Sequence, residues 1–237
     1  MPEFLMHRAV LFDAGGTLIH MDRRFVLQAL NANGIAADLA ALTNAEAVAR
    51  AEVGLILRSD QPGTDASRWS AYAAAQMRAL RCEGEPLARV RAALWERHQT
   101  GRLWTTVDEG TPALLEQLRT DGYRMGVVSN ADGRVALAIE HAGLSAYLDV
   151  IVDSGIFGIE KPDPRIFLHA CEQLGVEPGH AMFVGDVYEI DVVGARNAGL
   201  SPVLVSADNH NEYDCPVVRT LDQLPGLLAM QANPPVS

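Results

Sequence analysis

The strongest constraint on the fold is an alternation that begins near residue 105 and continues almost to the end of the chain. Short apolar runs alternate with stretches of helical periodicity, and Gly or Pro residues separate many of these segments. The runs that predict strands are Tyr123 to Val128, Val150 to Val152, Ala181 to Val184 and Pro202 to Val205. Because strands that alternate with helices form parallel sheets covered on both faces, the pattern predicts an α/β fold with a doubly wound parallel sheet.

The first strand of this sheet lies far from the others in sequence. The run from Arg8 to Asp13 is apolar between its ends, and a glycine pair follows it, which predicts a buried strand entering a tight turn. Residues 22–104 have apolar side chains at helical spacing and no convincing strand, which predicts a small helical bundle. We expect a Rossmann-like core domain of residues 1–20 and 105–237, interrupted by an α-helical domain of residues 21–104.

Composition and charge exclude several classes of protein. The 237 residues are 49% hydrophobic and 21% charged, which supports a buried core rather than disorder. The net charge of -11 leaves no basic stripe for a nucleic acid, and no uncharged apolar run approaches the roughly 18 residues of a membrane span. Glu3, Arg8 and Asp13 interrupt the apolar residues near the start, so we expect no signal peptide, and the three cysteines form no CxxC pair. We therefore expect a cytoplasmic monomer or homodimer that binds neither nucleic acid nor a membrane.

Several chemically active side chains stand where predicted strands end. The first strand runs into Asp13, the second into Ser129 and the fourth into Asp186, while Lys161 lies in the loop after the third. Lys161 is also the only lysine among the 19 basic residues, since the others are arginines. Ligands of doubly wound sheets bind at the carboxyl ends of the strands. Two carboxylates, a hydroxyl and an ammonium at that edge are typical of metal-assisted phosphoryl transfer.

Four sequence motifs contain these residues. In chain order they are Phe12-Asp-Ala-Gly-Gly-Thr-Leu18, Val128-Ser-Asn130, Glu160-Lys-Pro-Asp-Pro-Arg-Ile-Phe167 and Val184-Gly-Asp-Val-Tyr-Glu-Ile-Asp191. Their order and spacing resemble the four motifs of the haloacid dehalogenase-like (HAD) hydrolase superfamily. The resemblance covers the whole chain, and the helical insert occupies the position of that family's cap domain.

The resemblance implies a phosphatase that acts on a small phosphorylated metabolite. Asp13 corresponds to the family's nucleophile, which forms an aspartyl-phosphate intermediate. Ser129 corresponds to the hydroxyl that holds a phosphoryl oxygen. Lys161 corresponds to the cation that neutralises charge shared between Asp13 and the phosphoryl group. Opening of the cap would control access to the site.

The resemblance also implies a Mg²⁺ cofactor. Its implied ligands are Asp13, the backbone carbonyl of Gly15 and Asp186. Asp191 corresponds to a second acid of the fourth motif, which steadies Lys161 or a metal-bound water. The residues implied to bind substrate, of which Thr17 would also close the turn by hydrogen bonds, are Gly16, Thr17 and Asn130.

The chain departs from the family pattern at Gly15. Phosphatases of the family usually carry an Asp there, two residues after the nucleophile, whose side chain protonates the leaving group and activates water. General acid–base catalysis contributes about 10²–10⁴-fold in rate, so its absence puts efficient hydrolysis of ordinary esters in doubt. Two remedies are open. Either the substrate would have a good leaving group, as an acyl or aryl phosphate does, or a nearby group such as His20 or Asp22 would supply the proton.

Two other functions remain open at the level of sequence. A 2-haloacid dehalogenase-like enzyme also lacks the second Asp, but that group works without metal and lacks the pair Gly185-Asp186. A non-catalytic phosphate-binding module is the second alternative, and Gly15 is its main support. A phosphonoacetaldehyde hydrolase would need a cap lysine, and residues 21–104 contain none.

Overall fold

The computed structural model describes residues 7–57, 59, 65–206 and 213–232. The chain divides into two compact units. The first, the α/β unit, comprises residues 1–20 and 107–237, and the second, the helical unit, comprises residues 21–106.

The strands and helices follow one another in an order that separates the two units. The strands are β1 (Ala9–Phe12), β2 (His20–Met21), β3 (Trp104–Thr106), β4 (Arg124–Ser129), β5 (Val150–Asp153), β6 (Ala181–Gly185), β7 (Ser201–Val205) and β8 (Val217–Val218). The helices are α1 (Arg23–Ala32), α2 (Leu39–Leu57), α3 (Asp65–Ala79), α4 (Gly84–Gln99), α5 (Thr111–Thr120), α6 (Val135–His141), α7 (Ser154–Phe157), α8 (Pro164–Leu174), α9 (Val193–Asn197) and α10 (Leu224–Ala232). None of the helices in the described ranges combines the length and apolar character that a membrane crossing requires.

Parallel strands of the α/β unit form one sheet in the order β5-β4-β1-β6-β7-β8. In the register of this sheet, Phe12 of β1 is level with Val127 of β4 on one side and with Val184 of β6 on the other. All four residues of β1 are buried, as expected for a strand covered on both faces. Because the chain proceeds outward from β1 in both directions, the carboxyl end of β1 is the switch point at which such sheets bind ligands. The predicted α/β fold with a doubly wound parallel sheet is confirmed.

Helix α8 illustrates how the sequence covers this sheet. It begins after Asp163, whose carboxylate accepts the Arg165 N–H at 3.0 Å, and it ends at Gly175, which has a left-handed φ of 65°. Its buried side chains recur at helical spacing, and Phe167 packs edge-to-face on Phe183 of β6 with ring centroids 4.8 Å apart. Burial of a Phe side chain contributes roughly 1.5–3 kcal/mol, so this contact fixes α8 beside the strand that leads to Asp186.

The helical unit has a hydrophobic core of its own. The buried members of that core are Val26, Ala29, Leu30, Leu42, Met77, Cys82 and Val90. Asp22 caps α1, because its Oδ1 accepts the Phe25 N–H at 3.1 Å, and its Oδ2 accepts a hydrogen bond from Arg97 of α4. Arg23 of α1 donates two hydrogen bonds to Glu46 of α2. These polar contacts join α1 to α2 and to α4.

Three short strands were missed by the sequence analysis. β2 and β3 pair in a separate two-stranded sheet, and β8 adds two residues to the edge of the main sheet. The prediction that residues 22–104 contain no strand is wrong at its last residue, since Trp104 begins β3. Strands of two or three residues contain too few side chains to show an alternating pattern, so only backbone pairing reveals them.

Candidate active site

The carboxyl end of β1 turns back on itself within a few residues. Asp13 follows the last residue of β1, and its N–H donates to the Val184 carbonyl of β6 at 2.8 Å. The Ala14 carbonyl accepts from Leu18 N–H at 3.0 Å and from Ile19 N–H at 2.9 Å, which closes the turn. The hydrogen bond to β6 before the turn and the hydrogen bonds within the turn therefore fix Asp13 at the switch point of the sheet.

Lys161 connects two acidic residues of this edge. Its Nζ donates to Asp13 Oδ1 at 2.6 Å and to Asp191 Oδ1 at 2.7 Å. The Lys161 side chain is only 2% exposed, and Asp191 is also buried. Charge-assisted hydrogen bonds of this kind are short and strong. They hold the only ammonium side chain of the protein directly beside the predicted nucleophile.

A single π-helical turn, Tyr188–Val192, places Asp191 in this contact. The Asp191 N–H donates to the Val187 carbonyl at 2.7 Å, and Asp191 Oδ2 accepts the Val187 N–H at 2.9 Å. A Cβ at Gly185 would lie 2.4 Å from Asp191 Cγ, so the glycine is needed for the carboxylate to approach β6. Both carboxylate oxygens of Asp191 thus have a partner, one from Lys161 and one from the backbone.

Asp186 differs from Asp191 because it carries a buried atom without a partner. Its Oδ1 is buried and has no hydrogen-bond partner in the part of the chain that the structure describes. Oxygen atoms of Asp13, Asp186 and Asp191 all lie within 4.8 Å of one another. Three carboxylates against one ammonium leave an excess of negative charge, and carboxylate oxygens are the ligands that Mg²⁺ takes in proteins. The residues present therefore fit a divalent cation.

The pKa values of these side chains reflect the same excess of negative charge. Burial raises the pKa of Asp13 to about 6, although the neighbouring Lys161 ammonium acts in the opposite direction. Burial and the charge of Asp13 raise the pKa of Asp186 well above its ordinary value. Burial by itself lowers the pKa of Lys161, but the Asp13 and Asp191 carboxylates outweigh it and raise that pKa above its ordinary value. Lys161 is therefore charged at neutral pH, and the carboxylates around it still favour a further cation.

The remaining predicted residues lie around this cluster in different ways. Ser129 is the buried last residue of β4, the strand beside β1. The Thr17 hydroxyl is buried and makes no hydrogen bond within the described ranges, so backbone hydrogen bonds rather than this hydroxyl close the turn. Gly16 has a left-handed φ of 90°, and a Cβ there would lie 2.4 Å from Asp186 Oδ2. Gly15 belongs to the same turn and forms an isolated bridge with Ile19.

Asn130 does not point its polar atoms outward from the loop after β4. Its Oδ1 accepts the Lys161 N–H at 2.7 Å, and its Nδ2 donates to the Lys161 carbonyl at 3.0 Å. The side chain predicted to bind substrate is thus engaged with the backbone of the residue that holds Asp13.

Two residues that the sequence analysis did not single out fasten the same loop. Asp153, at the end of β5, accepts backbone N–H groups of Gly133 at 3.0 Å and of Val135 at 3.1 Å. The Ser154 hydroxyl bonds to both the N–H and the carbonyl of Ala131, at 3.0 Å and 3.2 Å. An Asp-Ser pair at the end of an apolar run is the same signal that marks the other strand ends, and it could have indicated this position.

The two residues considered as substitute proton donors have different surroundings. Asp22 is occupied as the cap of α1 and as the partner of Arg97. His20, directly after the turn that contains Gly15, has its Nε2 3.4 Å from Asp108 Oδ2, within ion-pair distance, and that buried nitrogen makes no hydrogen bond within the described ranges. A carboxylate near an imidazole can orient the ring. Of the two residues, only His20 keeps a side chain suited to proton transfer.

Comparison with known protein sequences gives one family. A family model described as haloacid dehalogenase-like hydrolase matches residues 7–199. The glyceraldehyde 3-phosphate phosphatase of Methanothermobacter thermautotrophicus is 32% identical over 133 residues, which are 50% of this chain and 57% of that protein. The chain spans about half the length of the curated relatives it matches.

Solved structures extend the similarity over nearly the whole chain. The crystal structure of a HAD phosphatase from Thermococcus onnurineus is 27% identical, with a TM-score of 0.61, and the match covers 93% of this chain and 97% of that one. The crystal structure of a dehalogenase is also 27% identical, with a TM-score of 0.64, and the match covers 94% of this chain and 97% of that one. The similarity in fold does not separate these two activities, so the chemistry of the site has to do so.

Proposed function

The chain belongs to the haloacid dehalogenase-like hydrolase family, and we propose that within it the protein is a Mg²⁺-dependent phosphatase of small phosphorylated metabolites. The observation that supports this most is the carboxylate of Asp186. It lies beside Asp13 with a buried oxygen that has no partner among the described residues. A metal-independent dehalogenase has no use for a second carboxylate in this place, because the added negative charge opposes a carboxylate substrate.

The proposed reaction proceeds through an aspartyl phosphate. One oxygen of Asp13 attacks the phosphorus atom in line, the bond from phosphorus to the leaving oxygen breaks, and that oxygen takes up a proton. Lys161 binds Asp13 Oδ1 at 2.6 Å, which leaves the other carboxylate oxygen for the attack. Water then attacks the phosphorus atom, which releases inorganic phosphate and restores the Asp13 carboxylate.

Charge stabilisation is the main task of the other residues. The Ser129 hydroxyl and the Lys161 ammonium donate hydrogen bonds to the phosphoryl oxygens, on which negative charge accumulates. Mg²⁺, held by Asp13, Asp186 and the Gly15 carbonyl, would supply the charge that lets an anionic substrate approach an anionic site. Asp191 keeps the ammonium in place, and Gly16 and Thr17 belong to the turn that receives the phosphate.

The missing Asp at position 15 restricts the substrates that we expect. An acyl or aryl phosphate needs little protonation of its leaving group, so it suits a site without the usual acid. For a less activated ester we propose His20 as the proton donor, with Asp108 as its partner. The proposal further includes action in the cytoplasm as a monomer or homodimer, on a small molecule and without a nucleic acid or membrane partner.

The test is a panel of phosphate esters, assayed for phosphate release with Mg²⁺ and with EDTA, beside chloroacetate-type substrates assayed for halide. We expect phosphate release that EDTA abolishes and that Asp13→Asn and Asp186→Asn reduce by at least about 10²-fold. Halide release that is insensitive to EDTA would identify the dehalogenase instead. Binding of Mg²⁺ and phosphate without turnover of any ester would identify a non-catalytic module.

The role of His20 needs its own variant. His20→Ala is expected to slow hydrolysis of alkyl phosphates more than hydrolysis of aryl phosphates, because only the poorer leaving group needs the proton. Asp108→Asn should show the same preference more weakly. An unchanged ratio of alkyl to aryl rates in both variants excludes His20 as the donor.

A further inference from the structure

We propose that Asn130 is a positioning residue that sets the place of the Lys161 ammonium, rather than a residue that binds substrate. The inference rests on the proposed function, since it assigns Asn130 to the machinery of that reaction. It begins from a reciprocal contact. Asn130 Oδ1 accepts from Lys161 N–H at 2.7 Å, and Asn130 Nδ2 donates to the Lys161 carbonyl at 3.0 Å.

This contact fixes the position and orientation of the Lys161 backbone. Asn130 follows directly on β4, and Lys161 lies 31 residues later in the loop before α8. Two hydrogen bonds of opposite direction to the N–H and carbonyl of one residue define both the position and the orientation of that residue. The side-chain amide of Asn130 therefore connects the end of β4, where Ser129 lies, to the loop that carries Lys161.

The ammonium at the end of Lys161 has little freedom to compensate for a shift of its backbone. The side chain is 2% exposed, and its Nζ lies 2.6 Å from Asp13 Oδ1 and 2.7 Å from Asp191 Oδ1. Both carboxylates are themselves fixed, Asp13 by β6 and Asp191 by the Val187 N–H. Loss of the Asn130 contact should therefore move the ammonium relative to fixed partners, and misplacement by about 1 Å can cost about 10²-fold in rate.

Ser154 offers a matched control, because it contacts Ala131, the residue that follows Asn130 in the same loop. The Ser154 hydroxyl makes two hydrogen bonds to the Ala131 backbone, so Ser154→Ala removes as many loop contacts as Asn130→Ala does. Neither of the lost Ser154 contacts involves Lys161. A difference between the two variants then reports the contact with Lys161, and not the general fastening of the loop.

Kinetics separate positioning from substrate binding. For Asn130→Ala we expect kcat to fall about 10- to 100-fold while KM changes less than about twofold, because the ammonium acts on the developing charge. Ser154→Ala should keep kcat within about threefold. Asn130→Asp keeps an acceptor for the Lys161 N–H but loses the donor to its carbonyl, so an intermediate kcat is expected. A rise in KM at constant kcat, or an equal loss of kcat in Ser154→Ala, overturns the inference.

A second measurement needs no turnover. Because Lys161 is the only lysine, protein labelled with ¹³C- and ¹⁵N-lysine gives a single set of lysine NMR signals. We expect the Cε–Hε signal to shift or split in Asn130→Ala and to stay in place in Ser154→Ala. An unchanged signal in Asn130→Ala overturns the inference even if the protein is an active phosphatase. A shifted signal in a protein that hydrolyses no phosphate ester upholds the contact and rejects the proposed function instead.

Discussion

Two adjacent glycines after Asp13 make different demands on the backbone. Gly16 has a φ of 90°, and a Cβ there would meet Asp186 Oδ2 at 2.4 Å. Both the backbone conformation and the close contact therefore exclude a side chain at this position. Gly15 is not among the glycines with a left-handed φ, so its φ does not by itself require glycine. The turn therefore requires glycine at position 16, whereas the backbone φ imposes no such requirement at position 15.

This difference predicts the effect of restoring the acid. Gly15→Asp should raise kcat/KM for alkyl phosphates, up to the order of 10²–10⁴-fold, because the new carboxyl group protonates the leaving oxygen. Aryl phosphates should gain much less. The measurement is a comparison of the two substrate classes in wild type and variant at saturating Mg²⁺.

The neighbouring position provides the control. Gly16→Ala should lose activity toward both classes, since the added Cβ displaces Asp186. If Gly15→Asp gave the same gain for alkyl and aryl phosphates, or none for either, the missing group would not be a general acid.

The raised proton affinities of the site predict how metal binding depends on pH. The pKa of Asp13 is raised from 3.8 to about 6, so below that pH a proton competes with the cation for this carboxylate. Stabilisation by Mg²⁺ should therefore be largest above about pH 6 and decrease as the pH falls below that value. At 100 times Kd the gain is about 2.7 kcal/mol, or roughly 5–10 °C in Tm.

Thermal unfolding with Mg²⁺ and with EDTA at several pH values measures this directly. Asp186→Asn is the control, because it removes a proposed ligand and should abolish the shift at every pH. A shift that persists undiminished at pH 5 would place the cation away from Asp13.

At the level of elements, side-chain pattern revealed the parts that are long and buried. β1, β4 and β6 were predictable because strands covered on both faces are continuous apolar runs, and each leads into a polar residue of the site. The two-residue strand β8 and the π-helical turn Tyr188–Val192 have no such pattern, since backbone pairing and a carboxylate contact define them. The Asn130 contact was invisible for a related reason, because only the folded chain shows which loop an amide faces.

Close packing between α8 and α9 predicts a specific loss of stability. A Cβ at Gly194 would lie 2.7 Å from the Phe167 ring and 3.0 Å from the Pro162 Cα. Gly194→Ala should therefore cost about 1–3 kcal/mol of unfolding free energy, as overpacked cores do. Because Pro162 follows Lys161, we also expect kcat to fall.

The control is a helical glycine with free space. A Cβ at Gly226 in α10 meets nothing within 4 Å, so Gly226→Ala should leave kcat unchanged and stabilise the protein by up to about 1 kcal/mol. Urea unfolding measures both variants. Equal stabilities would mean that α9 moves away from Phe167 at no cost.

At the scale of the whole molecule, the acidic balance and the division into units have to be considered together. The chain has a net charge of -11, so an anionic substrate is repelled at long range and attracted only close to its site. Lys161, Asp13, Asp186 and Asp191 all belong to the α/β unit. The chemical step and the metal site are therefore expected to reside in that unit, and we propose that the helical unit acts as a cap that selects the substrate.

Removal of residues 21–106, with a short Gly-Ser linker between His20 and Val107, tests this division of labour. The remaining α/β unit contains the six-stranded sheet and all four charged residues of the site, so it should still gain stability from Mg²⁺ above about pH 6. We expect aryl phosphates that differ in size but have similar leaving groups to be hydrolysed with similar kcat/KM, because no cap discriminates among them. Full-length protein should rank the same esters over at least about tenfold. A truncated protein that melts cooperatively but shows no response to Mg²⁺ would mean that the helical unit contributes to the metal site, and retention of the full ranking would mean that the α/β unit itself selects the substrate.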